Sequence, residues 1–352
     1  MPDIDEFDFF QTLPTEVSNQ PFNSTTNSMK RKRHDPFQAL TENPLRTKLG
    51  SDHQGDIGIE IELEVNPQCD FPQSPVHWLL IGEDSLRHGF EIITKGNLRI
   101  GTSRYNNTLA SLSEFLGKHK DILQTSIRTS THLHFSVLDY TIHEIYNICL
   151  HYYLIENLLV ATNDKCRHGN LFCRRLQDAN GIIKHMKESI ANGSIQYFVN
   201  QYKYGALNLA SISNLGSVEF RFMEASTDPS LTKLNLDIQI LHSLVTKCRR
   251  FNIHNSIKLI EDHGIKPFLS SFLTQEQVEY LTNLDIETLN EFSTCNLADV
   301  ESLGQSLDNL GIKLKKRHCQ PQIAVQRDSD EVHSHFLPED YDGEFYTDLK
   351  EA

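Results

Sequence analysis

No stretch of this chain is both long enough and apolar enough to span a bilayer. The nearest, Ile142 to Ala161, is broken by His143, Glu144, Asn147, His151, Glu156 and Asn157. The opening residues, MPDIDEFDFF, lack a basic segment followed by an apolar one, so no secretory signal is expected. Positive charge is also short. Lys and Arg number 33 against 47 Asp and Glu, a formal net charge of −14. That balance argues against broad, non-specific nucleic-acid binding but leaves room for a local basic site. There is no P-loop and no Gly-x-Gly-x-x-Gly. A bound nucleotide would therefore be held by metal and side chains rather than by a glycine-rich loop. The seven cysteines are odd in number and scattered, which suits free thiols in a reducing compartment. No internal repeat is visible. A cytoplasmic protein without a membrane partner is expected.

The 352 residues can form one large domain or two small ones. Within them, Asp56 to Val65, DIGIEIELEV, alternates strictly. Ile57, Ile59, Ile61, Leu63 and Val65 share one face, and Gly58, Glu60, Glu62 and Glu64 share the other. That is the period of a half-buried strand. Its glutamates would stand about 7 Å apart, two strand rises. A row of like charges is costly unless something positive covers it. A divalent cation such as Mg²⁺ meets that need. A solvated acidic edge strand is the plainer alternative.

Around this strand the sequence divides into four parts. Residues 1–52 read as a flexible leader, with a basic cluster at Lys30 to Arg33 and aromatics at Phe7, Phe9 and Phe10 that offer a partner contact. Residues 53–251 read as the catalytic domain. Val76–Ile81 is a short apolar run that contains Trp78. Strands are expected over 89–94, over 129–138, at Tyr204–Ala210 and at Ser217–Met223. Helices are expected over 103–119, 141–162 and 179–191, and from Asp228-Pro229 to Arg250 with the proline in the first turn. Thr141 and Glu144 form a capping box. Residues 252–317 read as a helical extension, and 318–352 as an acidic disordered tail that could also meet a protein partner. The fold class is α+β, with a largely antiparallel sheet packed on helices by one face and open and polar on the other.

The polar face collects consistent chemistry. It carries Glu60, Glu62 and Glu64 on one strand, Glu91 on the next, His132 and His134 on a third, and Glu219 and Arg221 on the last. If these strands are neighbours, carboxylates and imidazole hold a divalent metal, and Arg221 takes phosphate oxygens through its planar fork. Each piece also has a plainer reading. His-x-His occurs on ordinary polar strands, and Glu-x-Arg is usually an exposed ion pair of little worth. Cys166-x-His168 with Cys173 makes half of a zinc pattern, but no second pair has suitable spacing.

The order of these motifs resembles the amidoligase family of carboxylate–amine ligases, often encoded by phages and bacteria, in the glutamine synthetase and glutamate–cysteine ligase superfamily. The resemblance covers roughly residues 55 to 250. It rests on Gly58-Ile-Glu-Ile-Glu-Leu-Glu64, Glu83-Asp-Ser-Leu86 followed by Glu91, Thr131-His-Leu-His134, Asn208, and Val218-Glu-Phe-Arg221 before Asp228-Pro229. It implies a curved sheet forming a half-barrel funnel, with ATP entering one end and the carboxylate and amine substrates the other. It further implies Mg²⁺ or Mn²⁺ on Glu60, Glu62, Glu91, Glu219 and one of His132 and His134. Arg221 would neutralise the transferring phosphoryl group. Arg174 or Arg175, His134 and Asn208 would contact the nucleotide, and Asp84 and Ser85 would lie near the acceptor. The implied reaction makes an acyl phosphate from ATP and a carboxylate, which an amine then attacks. A metal-dependent hydrolase using the same carboxylates is one rival reading. A non-catalytic partner-binding module on the same fold is the other.

Overall fold

The computed structural model describes residues 56–96, 98–163, 173–192 and 205–318. The leader, the tail beyond His318, and Cys166 and His168 lie outside the described residues.

The acidic strand forms as its alternation predicts. It is β1, Ile57–Val65, and its isoleucines, Leu63 and Val65 are all buried. Strands β2 (Trp78–Gly82), β3 (Gly89–Thr94), β4 (Leu123–Gln124), β5 (Ser130–Ser136), β6 (Leu207–Asn208) and β7 (Ser217–Glu224) complete a seven-stranded sheet. Its order is β2-β3-β1-β5-β7-β6, with β4 paired to the end of β1, and every ladder is antiparallel. The molecule is α+β, with one open antiparallel sheet whose apolar face packs on helices.

Three helices cover that face. α1 (Ser103–His119) buries Leu109, Leu112, Phe115 and Leu116, the stripe read from its sequence. Thr108 of this helix accepts, through its carbonyl, a 3.0 Å hydrogen bond from the Trp78 indole. α2 (Ile142–Ala161) is buried along nearly its whole length, as its all-round apolar sequence requires. Its capping box forms in full between Thr141 and Glu144. Tyr152 of α2 packs against Phe220 and Phe222 of β7. α3 (Asn180–Asn192) and the short α4 (Ser211–Leu215) follow, and α5 (Thr232–Lys247) brings His242 to Phe135 of β5. The chain then continues through α6 (Ile253–His263), α7 (Ile265–Ser270), α8 (Gln275–Leu281), α9 (Ile286–Thr294) and α10 (Leu297–His318). Among the described residues no helix is long and apolar enough to cross a membrane, and no disulfide forms.

Three element boundaries differ from expectation. β6 spans two residues, because the Asn208 side chain accepts from the Ala210 amide and turns the chain into α4. α5 begins at Thr232 rather than at Pro229. Asp228 accepts from Ser230 in a local turn, and Leu231 takes φ 54° before the helix, so Pro229 lies in the turn and not in the first helical turn. β5 ends at Ser136 rather than at residue 138, while the region after Phe251 is helical as expected, in five helices of which α10, with 22 residues, is the longest.

Candidate functional site

Strand order and register decide which polar side chains meet. Glu62 stands opposite Glu91 across β1 and β3. Glu60 stands opposite His132 across β1 and β5. His134 stands opposite Glu219 across β5 and β7, and Glu219 opposite Asn208 across β7 and β6. A bulge interrupts the β5–β7 ladder. Thr131 pairs with Met223 and Leu133 with Phe220, so Arg221 and Phe222 together face the single residue His132. Such a bulge re-aims side chains, and here it brings Arg221 to the group.

The result is one patch of Glu60, Glu62, Glu91, His132, His134, Glu219 and Arg221. His132 sits at its centre, 2% exposed. Its Nδ1 is 3.3 Å from Glu60 and 3.6 Å from Glu219, and its Nε2 is 3.9 Å from Glu62. His134 Nε2 is 3.2 Å from the other Glu60 oxygen, close enough to pair electrostatically. Arg221 donates to Glu219, and Asn208 donates to the second Glu219 oxygen at 2.6 Å. Both imidazoles face the cluster. The polar face expected of this sheet is present, and part of it is closed to solvent. Glu62, Glu219 and both histidines are buried, because the donors pack on one another across the strands.

The charges shift one another in opposite directions. Burial pushes the Glu60 carboxyl up, but the His134 charge and the hydrogen bond from His132 outweigh it and hold it below the usual carboxylate range. Burial likewise opposes ionisation of Glu219, yet His134, Arg221 and His132 carry it downward. His134 is pulled down by burial and raised overall by Glu60 and Glu219. Glu91 goes the other way. Burial, then the charges of Glu60, Glu62 and Glu83, raise it to about 8, against the opposing charge of Arg221.

Four carboxylates against two imidazoles and one guanidinium leave the patch short of positive charge. Two groups of donor atoms, Glu60–His132–Glu219 and Glu62–Glu91–His132, each lie within 4.8 Å of one another. Oxygen donors with imidazole suit Mn²⁺ or Zn²⁺, and oxygen donors alone suit Mg²⁺. A cation there would offset the buried charge and polarise a bound oxygen.

The other candidates lie elsewhere. Asp84 and Ser85 are exposed in the turn joining β2 to β3, where Arg128 donates to the Ser85 carbonyl at 2.8 Å. Arg175 is held by Asp178 at 2.7 Å and by Asn157 of α2 at 3.0 Å, outside the patch. Arg174 is exposed beside Gly205, and its carbonyl accepts from Ala206, whose own carbonyl accepts from the Arg221 amide. That puts its backbone two strand spacings, roughly 10 Å, from that of Arg221. Two residues were not singled out from sequence. Ser130 contacts Glu62 and lies 2.7 Å from His132 Nε2, and Ser217 lies 3.2 Å from His134 Nδ1. Glu83, named only as part of the motif before Glu91, acts on Glu91 by charge. Ser130 and Ser217 precede His132 and Glu219 by two, so strand alternation was the signal for both.

Comparison with protein-family models and with curated proteins finds no match for this chain.

Proposed function

We propose that this chain is an ATP-dependent carboxylate–amine ligase, with its sheet acting as the floor of a half-barrel funnel. The observation that carries the reading is the convergence of Glu60, Glu62, Glu91, His132, Glu219 and Arg221 from four strands onto one buried patch. These are among the residues that the family resemblance selects. In this reading the carboxylates and His132 hold Mg²⁺ or Mn²⁺, which offsets charge on the transferring phosphoryl group. Arg221 releases Glu219 to contact that group, its fork matched to phosphate oxygens. Glu219 stays oriented by Asn208. The burial of the donors limits water near a reactive acyl phosphate.

The test is phosphate release from ATP with Mg²⁺ or Mn²⁺, screened against pools of carboxylates and amines and read by mass spectrometry. An amide product that needs both substrates and ATP supports ligation. One observation favours a second reading: two imidazoles lie in the patch, and imidazole suits the transition metals of many hydrolases. Cleavage of amides or phosphate esters with metal and without nucleotide would establish the hydrolase and remove the ligase.

A further inference from the structure

Ser130 precedes His132 by two residues in β5, so both side chains face the patch. The Ser130 hydroxyl contacts the Glu62 carboxylate and lies 2.7 Å from His132 Nε2. A serine hydroxyl has one proton, and a carboxylate only accepts. The hydroxyl therefore donates to Glu62. Its oxygen can then meet Nε2 only as an acceptor, which requires a hydrogen on Nε2. The other ring nitrogen, Nδ1, faces Glu60 at 3.3 Å and Glu219 at 3.6 Å.

We infer that Ser130 is a positioning residue that keeps a hydrogen on His132 Nε2, so that a metal binds the ring through Nδ1 and displaces the proton that Nδ1 shares with Glu60 in the metal-free protein. The inference rests on the metal reading of the patch. Its consequence is that the two donor groups sharing His132 are chemically unequal. The side of Glu60 and Glu219 gains a nitrogen donor. The side of Glu62 and Glu91 meets an N–H from the same ring and keeps oxygen donors alone. Hydrogen bonds to the far nitrogen of a ligating imidazole commonly fix its tautomer in this way.

Histidine-labelled ¹⁵N,¹H spectra of the full chain read the ring protons directly. The metal-free protein should show a slowly exchanging Hε2 on His132, and Ser130→Ala should lose it. Zn²⁺, as a diamagnetic probe, should move the Nδ1 resonance and leave Hε2 in place. Zn²⁺ affinity should fall on the order of tenfold to a hundredfold in Ser130→Ala and recover in Ser130→Thr, which keeps the hydroxyl. A serine with only a packing role would change the melting temperature without changing which nitrogen binds. Zn²⁺ bound through Nε2, or an Hε2 signal unaltered by Ser130→Ala, would overturn the inference. Loss of ATP-dependent phosphate release with Nδ1 ligation intact would count against the ligase reading alone. The Zn²⁺ spectra of the unmodified protein decide the matter even if Ser130→Ala does not fold.

Discussion

Arg221 and Glu219 show how burial changes the meaning of a short motif. On an exposed strand the pair would be worth at most about 1 kcal/mol. Here the side chains are 18% and 5% exposed. Removing one partner of a buried pair costs about 3–5 kcal/mol, since the other charge is stranded. Arg221→Ala should therefore lower stability by about 3 kcal/mol in chemical denaturation. Arg221→Lys keeps the charge and loses the planar fork. If Arg221 contacts the transferring phosphoryl group, that variant should lose turnover on the order of a hundredfold and ATP affinity much less. Equal loss of both would make it a plain binding residue.

Glu91 gives a pH signature at the same scale. Its folded carboxyl is raised to about 8 from 4.5. The folded state thus holds this proton more tightly than the unfolded chain. The corresponding stability is complete below about pH 4.5 and is lost as pH rises through about 8. Glu91→Gln should melt progressively higher than the unmodified protein as pH goes from 5 to 9. At pH 7 a divalent ion bound at Glu62 and Glu91 must displace the proton. Calorimetric titration of Mn²⁺ in two buffers of different ionisation enthalpy should show proton release, absent in Glu91→Gln. Identical heats in both buffers would show that Glu91 is not a ligand.

Among the elements, β7 depends most on its entry. Gly216 closes α4 at φ 65°, and a Cβ there would lie 2.3 Å from Leu138. Gly216→Ala combines backbone strain with overpacking, so a loss of about 2–4 kcal/mol is expected, read by urea denaturation. It should also weaken metal binding, because Ser217, Glu219 and Arg221 follow directly. Alternation in the sequence was enough to assign which side chains of β1, β5 and β7 share the polar face, and the capping box of α2 was legible residue by residue. Register was not legible. Nothing local in Glu62 specifies Glu91 as its neighbour, and the bulge that sets Arg221 against His132 depends on the partner strand. The start of α5 departs from its sequence signal for a related reason. Asp228-Pro229 resembles a helix start, but the Asp228–Ser230 turn captures the same donors first.

For the molecule as a whole, the question is whether the helices after Phe251 unfold with the sheet. α2 anchors both the segment that leads into them and the helices themselves. Asn147 donates to the carbonyls of Cys248 and Arg249 at 3.1 and 3.0 Å, and to that of Phe251. His151 meets Ser256 at 3.0 Å, Tyr153 donates to Asp299 at 3.1 Å, and Asn296 donates to the Tyr153 carbonyl at 2.8 Å. α2 in turn packs on β7. Buried polar groups left without partners are expensive, so separating the two parts should cost several such groups at once. The chain offers a clean probe of this. Trp78 is its only tryptophan, fully buried in β2, and reports the sheet by fluorescence. Far-ultraviolet circular dichroism reports mainly the helices. In urea the two transitions should coincide, the mark of a cooperative unit. Asn147→Ala should shift both together to lower urea, by about 2–4 kcal/mol, because it leaves buried carbonyls unpaired. A helical transition with no fluorescence counterpart would instead mean that the C-terminal helices form a separate unit.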